Sequence, residues 1–111
     1  AFLCCHEATI SPLHRAALLG AHGRHTALTN LFSGRPARGI VNRLMRELGP
    51  LSALPPDFPH ASGALAPLRA AAEKMGGSGF SPLWAGQNVS GCRSLAAAEL
   101  ISAWVAEADL A

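Results

Sequence analysis

Residues 26–48 read TALTNLFSGRPARGIVNRLMREL, and the reading of this stretch governs the rest of the chain. Its centre, Phe32 to Arg43, carries three arginines, in a chain of which only 14% is charged. Two readings compete: a basic element that grips phosphates, or a structural turn that leads into a helix. Gly34 and Pro36 favour the turn, because glycine takes positive φ at no steric cost and proline fits a first helical turn. Ile40, Val41, Leu44, Met45 and Leu48 recur at helical spacing, with Arg43, Arg46 and Glu47 on the other face. That pattern predicts a helix over 37–48, stopped by Gly49 and Pro50. Arg35 and Arg38 would sit at its start, where the macrodipole disfavours cations, so they are expected to bond carbonyls or carboxylates of other segments.

The bulk composition supports the structural reading. The 111 residues suffice for one domain, and half of them are hydrophobic, as a chain that buries a core requires. A formal net charge of +2 is too small for a nucleic-acid partner, which calls for a concentrated basic surface. The Gly-Arg-Pro core of a minor-groove hook is present, but Ser33 stands where that motif needs a basic residue, and an apolar segment follows at once. No run approaches the ~18 apolar residues of a membrane span, and no basic stretch precedes an apolar leader. Cys4 and Cys5 are adjacent and Cys92 is remote, which is no disulfide framework and fits a reduced, cytoplasmic setting. The run Cys4-Cys5-His6-Glu7 lacks the separated ligand pairs of a zinc site, so no metal is expected.

Around the central stretch the organisation is mostly helix and loop. The opening AFLCC reads as the end of a buried strand and the chain as a fragment. Ser11 and Pro12 open a helix over 12–19, closed by Gly20. Residues 26–32 read as a short extended piece. Residues 50–60, with four prolines, form an extended connection. A helix over 67–75 ends at Gly76-Gly77. Ser94 caps a last helix whose stripe is Ala98, Ile101, Val105 and Ala108, widened by Leu100 and Trp104. The long loop before it holds Trp84, Gly86 and Gln87, an aromatic wall, a glycine and a side-chain amide that together can line a ligand pocket. His14, His22, His25 and His60 have no nearby nucleophile, so no catalytic residue is assigned to them.

Three blocks, in order, resemble the nitronate monooxygenase family, formerly 2-nitropropane dioxygenase. AFLCCHEATISPLHRAAL (1–18) is similar to the segment after the last barrel strand, with its His-Arg pair. TALTNLFSGRPARGIVNRLMREL is similar to the family's Gly-Arg block, and FSPLWAGQ (80–87) resembles its late Trp-x-x-Gly-Gln element. The resemblance implies an α/β TIM-barrel parent. Residues 1–111 would be its C-terminal part: the end of the last strand, about four helices and long loops. It implies FMN, held mainly by a Gln-x-Gly-Thr element upstream, and a catalytic histidine also upstream, whose role none of the five histidines here inherits. The implied reaction oxidises an alkyl nitronate with O2 to a carbonyl compound and nitrite. The implied partners are that small substrate and the N-terminal barrel portion, with no nucleic acid and no membrane. Trp84, Gly86 and Gln87 would lie near flavin or substrate, while Gly34 and Pro36 would set a turn and Arg35, Arg38 and Asn42 would tie the segment onto the barrel. Flavin-dependent enoyl-acyl-carrier-protein reductases share weaker versions of the blocks. A free-standing small helical binding module is the reading from a different class.

Overall fold

The computed structural model describes residues 1–110. Its regular elements are α1 (Pro12–Leu19), β1 (Thr26–Thr29), β2 (Ala37–Ile40), α2 (Arg43–Leu48), α3 (Ala61–Lys74) and α4 (Ala97–Asp109). The two strands pair antiparallel, with Thr26 opposite Ile40 and Leu28 opposite Arg38.

The central stretch is split where the sequence reading makes it one helix. Residues 37–40 are β2, and the helix begins only at Arg43. Asn42 is the reason: its backbone is extended, and its side-chain oxygen accepts from the Met45 N–H at 3.4 Å, the geometry of an N-cap. Ile40, Leu44 and Met45 are buried as the helical pattern requires, because the same apolar residues serve a strand followed by a helix. Arg35 and Arg38 consequently lie in a turn and a strand. Arg38 donates to the Thr26 hydroxyl on β1 at 3.1 Å, and Arg35 stacks on the Phe58 ring, 4.6 Å from its centroid. Among the described residues neither meets the carbonyls or carboxylates expected of them.

The turn between the strands is as read. Gly34 has φ +89°, and a Cβ there would come within 2.5 Å of the Phe58 nitrogen and 2.8 Å of the Pro56 oxygen. Glycine is required twice over, for the left-handed backbone and for the close passage of the proline-rich connection. That connection is tied down by side chains that imitate a strand ladder. The Thr29 hydroxyl donates to Pro50 O at 2.7 Å, Asn30 Nδ2 donates to Ser52 O at 2.7 Å, and Asn30 Oδ1 accepts from Ser52 N at 3.0 Å.

Helix α1 starts and stops where its caps place it, with the Ser11 hydroxyl accepting from His14 N at 3.1 Å. The N-terminal residues differ from expectation: Phe2–Cys4 form a 3-10 turn, not a strand end. Arg15 accounts for that shape. Its guanidinium donates to the carbonyls of Cys4, Cys5 and Ala8, and these oxygens converge only if the backbone curls. Helix α3 begins at Ala61, six residues earlier than expected, and carries Pro67 on an exposed face in its interior. Helix α4 begins at Ala97, without Ser94 as its cap. The Glu99 carboxylate accepts from Ala96 N at 3.0 Å, and the Glu7 carboxylate accepts from Ala97 N at 3.1 Å. Leu100 of α4 is fully buried, and Trp104 meets Phe2 edge-on at 5.3 Å; Ile101 and Val105 of the expected stripe are exposed.

Two apolar clusters flank β2. One holds Cys4, Leu18, Ile40, Leu83 and Val89; the other holds Leu31, Phe32, Leu44 and Met45, with Trp84 against it.

Gly34→Ala is expected to cost about 2–4 kcal/mol, from an L-residue at positive φ and from backbone overlap. A denaturant titration of the intact protein with an unchanged midpoint would contradict this account of the turn.

Candidate functional site

The loop that follows α3 closes onto β2 as a third extended segment. Ile40 N donates to Leu83 O at 2.8 Å, Ala85 N donates to Arg38 O at 3.2 Å, and Gly39 bridges to Trp84. Gly39 on β2 leaves room for this approach. A Cβ at Gly39 would lie 3.1 Å from the Leu83 oxygen and 3.6 Å from Cε3 of the Trp84 indole. The pairing of Gly39 with Trp84, 45 positions apart in sequence, brings the Gly-Arg block and the late tryptophan block into one backbone ladder.

Two further contacts hold Trp84, and a third residue holds the loop that carries it. Its ring packs edge-on against Phe32 at 5.8 Å, the arrangement aromatic quadrupoles favour. His14 of α1, a buried residue, places Nε2 2.8 Å from the Trp84 carbonyl oxygen. Asn42 anchors the start of the loop, donating from Nδ2 to Ser78 O at 3.2 Å and to Ser81 O at 2.9 Å. Asn42 thus caps α2 with its oxygen and clamps the loop with its nitrogen.

Beside Trp84 a polar cleft of about 320 Å³ opens between the first turn of α1 and the end of α3. One wall is Thr9, Ser11 and His14; the other is Arg69, Glu73 and Ser81. Glu73 Oε1 accepts from Arg69 Nε at 2.7 Å and from the buried Ser81 hydroxyl at 2.6 Å. The Arg69 hydrogen bond first, and then that of Ser81, hold the Glu73 carboxyl below the usual carboxylate range.

Of the residues singled out in the sequence, Trp84 forms a half-buried wall of this cleft, whereas Gly86 and Gln87 lie just beyond it, exposed. Nothing approaches within 4 Å of a Cβ placed at Gly86; the close backbone approach occurs at Gly39 instead. Gly34, Arg35, Arg38 and Asn42 are tied within the chain itself, as described above. Sequence reasoning missed His14, Gly39, Glu73 and Ser81. Gly39 lay inside the quoted block, but its role depends on pairing with a residue 45 positions away. Burial, with Cys92 beside it, pushes the Cys4 thiol up, as for a core side chain rather than a thiolate ligand. Among the described residues no group of three or more His, Cys, Asp or Glu could hold a metal ion.

The profile of the nitronate monooxygenase family matches residues 1–107. A nitronate monooxygenase of Pseudomonas aeruginosa is 39% identical over 108 residues, covering 96% of this chain and 31% of the relative. One of Paraburkholderia phytofirmans is 42% identical over 104 residues, 92% of this chain and 28% of the relative. The crystal structure of a nitroalkane oxidase from Streptomyces ansochromogenes superposes with a TM-score of 0.84 at 40% identity, over 96% of this chain and 30% of that one. The chain therefore spans about 30% of the length of the relatives it matches.

Gly39→Val is expected to push the Trp84 segment off β2, lowering stability by about 1–3 kcal/mol and shifting the NMR cross-peak of the Trp84 indole N–H. A variant with native stability and an unmoved cross-peak would show that the close approach is not required.

Proposed function

The chain belongs to the nitronate monooxygenase family, and on that premise we propose that it forms the C-terminal part of an FMN-dependent TIM-barrel enzyme. The proposed reaction oxidises an alkyl nitronate with O2 to a carbonyl compound and nitrite. The observation that carries this reading is the convergence at Gly39 and Trp84 of the two sequence blocks most like the family's. Residues 1–111 are on this reading one incomplete portion of the barrel domain, and its further partner is the rest of that barrel. A match over about 30% of the relatives' length supports that assignment.

The residues of this chain do not by themselves make a flavin site. The cleft beside Trp84 is near the lower bound of ligand pockets, about 300 Å³. Gly86 and Gln87 are exposed. The role proposed for this segment is correspondingly limited. Trp84 supplies an apolar wall, Gln87 an amide donor and acceptor at the rim, and the body of FMN with the catalytic base is held elsewhere. When bound, the flavin supplies the redox chemistry, and the protein supplies shape, orientation and proton handling.

No helix among the described residues is long and apolar enough to cross a membrane; a cytoplasmic location is part of the proposal. None of the relatives described above is an enoyl reductase, and the free-standing helical module finds no support beside them.

In the intact enzyme, Trp84→Ala and Gln87→Ala are each expected to weaken flavin affinity or turnover by about tenfold, or about 1.4 kcal/mol. Residues 1–111 expressed alone are expected to be colourless. Unaltered kinetics and flavin affinity in both variants, or a yellow 111-residue protein, would sink this account of the segment.

A further inference from the structure

The polar cleft holds a side chain that the flavin reading leaves unused. His14 is only 8% exposed, and its Nε2 meets the Trp84 carbonyl oxygen at 2.8 Å. A carbonyl oxygen can only accept, so Nε2 carries a hydrogen; in the neutral ring, Nδ1 is then a bare acceptor. Nδ1 has no partner among the described residues, and no fully buried side-chain nitrogen or oxygen among them lacks one. Nδ1 is therefore not fully buried, on a side chain that lines the cleft.

The facing wall supplies the complement. Glu73 Oε1 takes Arg69 Nε and the Ser81 hydroxyl, so the carboxylate is neutralised locally. The two terminal nitrogens of Arg69 donate to no group among the described residues, so this cleft-lining side chain keeps N–H donors unspent. The Ser11 hydroxyl already accepts from His14 N, so its own hydrogen is free to donate. The residues that line the cleft thus include an imidazole with an unused acceptor and a cation with unspent donors, around a volume suited to a small ligand.

We propose that this cleft binds a small oxyanion that carries an O–H group, with the O–H donated to His14 Nδ1 and the charged oxygens held by Arg69 and Ser11. This site does not depend on the flavin, so it stands or falls separately from the enzymatic reading. Recognition of the O–H is the specific element, because a fixed acceptor rejects an isostere that has no hydrogen to give.

Phosphate and sulfate separate the two halves of the proposal, since they share shape and charge distribution and only phosphate carries an O–H at neutral pH. Titration calorimetry of the intact protein is expected to show inorganic phosphate binding at least about tenfold tighter than sulfate. In His14→Gln the new amide nitrogen keeps a donor for the Trp84 carbonyl but leaves no acceptor at the Nδ1 position, so the phosphate preference is expected to vanish. Arg69→Gln is expected to weaken both anions together. In the unmodified protein, phosphate but not sulfate is expected to move the His14 Nδ1 resonance, a readout that needs no variant to fold. Equal binding of the two anions, no binding of phosphate, an unmoved Nδ1 resonance, or a preference that survives in a folded His14→Gln protein would each overturn the proposal.

Discussion

The backbone ladder between β2 and residues 83–85 is the constraint on which the rest of the structure depends. Residue 39 has no side chain, and a Cβ there would crowd the Leu83 carbonyl oxygen, which accepts from the Ile40 amide at 2.8 Å. Once the loop is paired there, Leu83 enters one apolar cluster beside Ile40, and Trp84 packs against the other beside Phe32. One short extended segment therefore joins both clusters, and a side chain at position 39 would act on the packing of both.

Around that ladder, polar side chains do the work that long helices do in larger domains. His14 reaches the Trp84 carbonyl, Asn42 reaches two loop carbonyls, and Arg15 gathers three carbonyls of the N-terminal turn. Each satisfies backbone oxygens that loops and curled segments cannot satisfy through regular secondary structure. Removing one partner from such a buried contact costs more than the bond contributes, because the stranded carbonyl remains desolvated. The chain can then hold a long, irregular loop in one place and present its tryptophan to a cleft.

What was legible in the sequence was local. Ser11-Pro12 marked the start of α1, and Gly34 marked the turn, because caps and positive-φ turns act over a few residues. The 37–48 stretch misled because Ile40, Leu44 and Met45 satisfy a helical period and are all buried, while residues 37–40 are claimed by pairing with β1. Asn42 held the signal for the true start, as an N-cap residue immediately before Arg43. Helix α4 could not be placed from Ser94, since its first N–H groups are met by Glu99 and by Glu7 from the far end of the chain. At the site, Trp84 was readable from its residue type. His14, Gly39 and the Glu73–Ser81 pair were not, because each acts through a partner that only the tertiary fold supplies.

Native-state hydrogen exchange at two amides tests the central constraint most directly. Ile40 N and Ala85 N are the two donors of the ladder, one on β2 and one on the loop. If the loop is docked by this pairing, both amides are protected, they open with the same free energy, and Gly39→Val accelerates both together. An Ala85 amide that exchanges as an open loop while Ile40 stays protected would contradict the account.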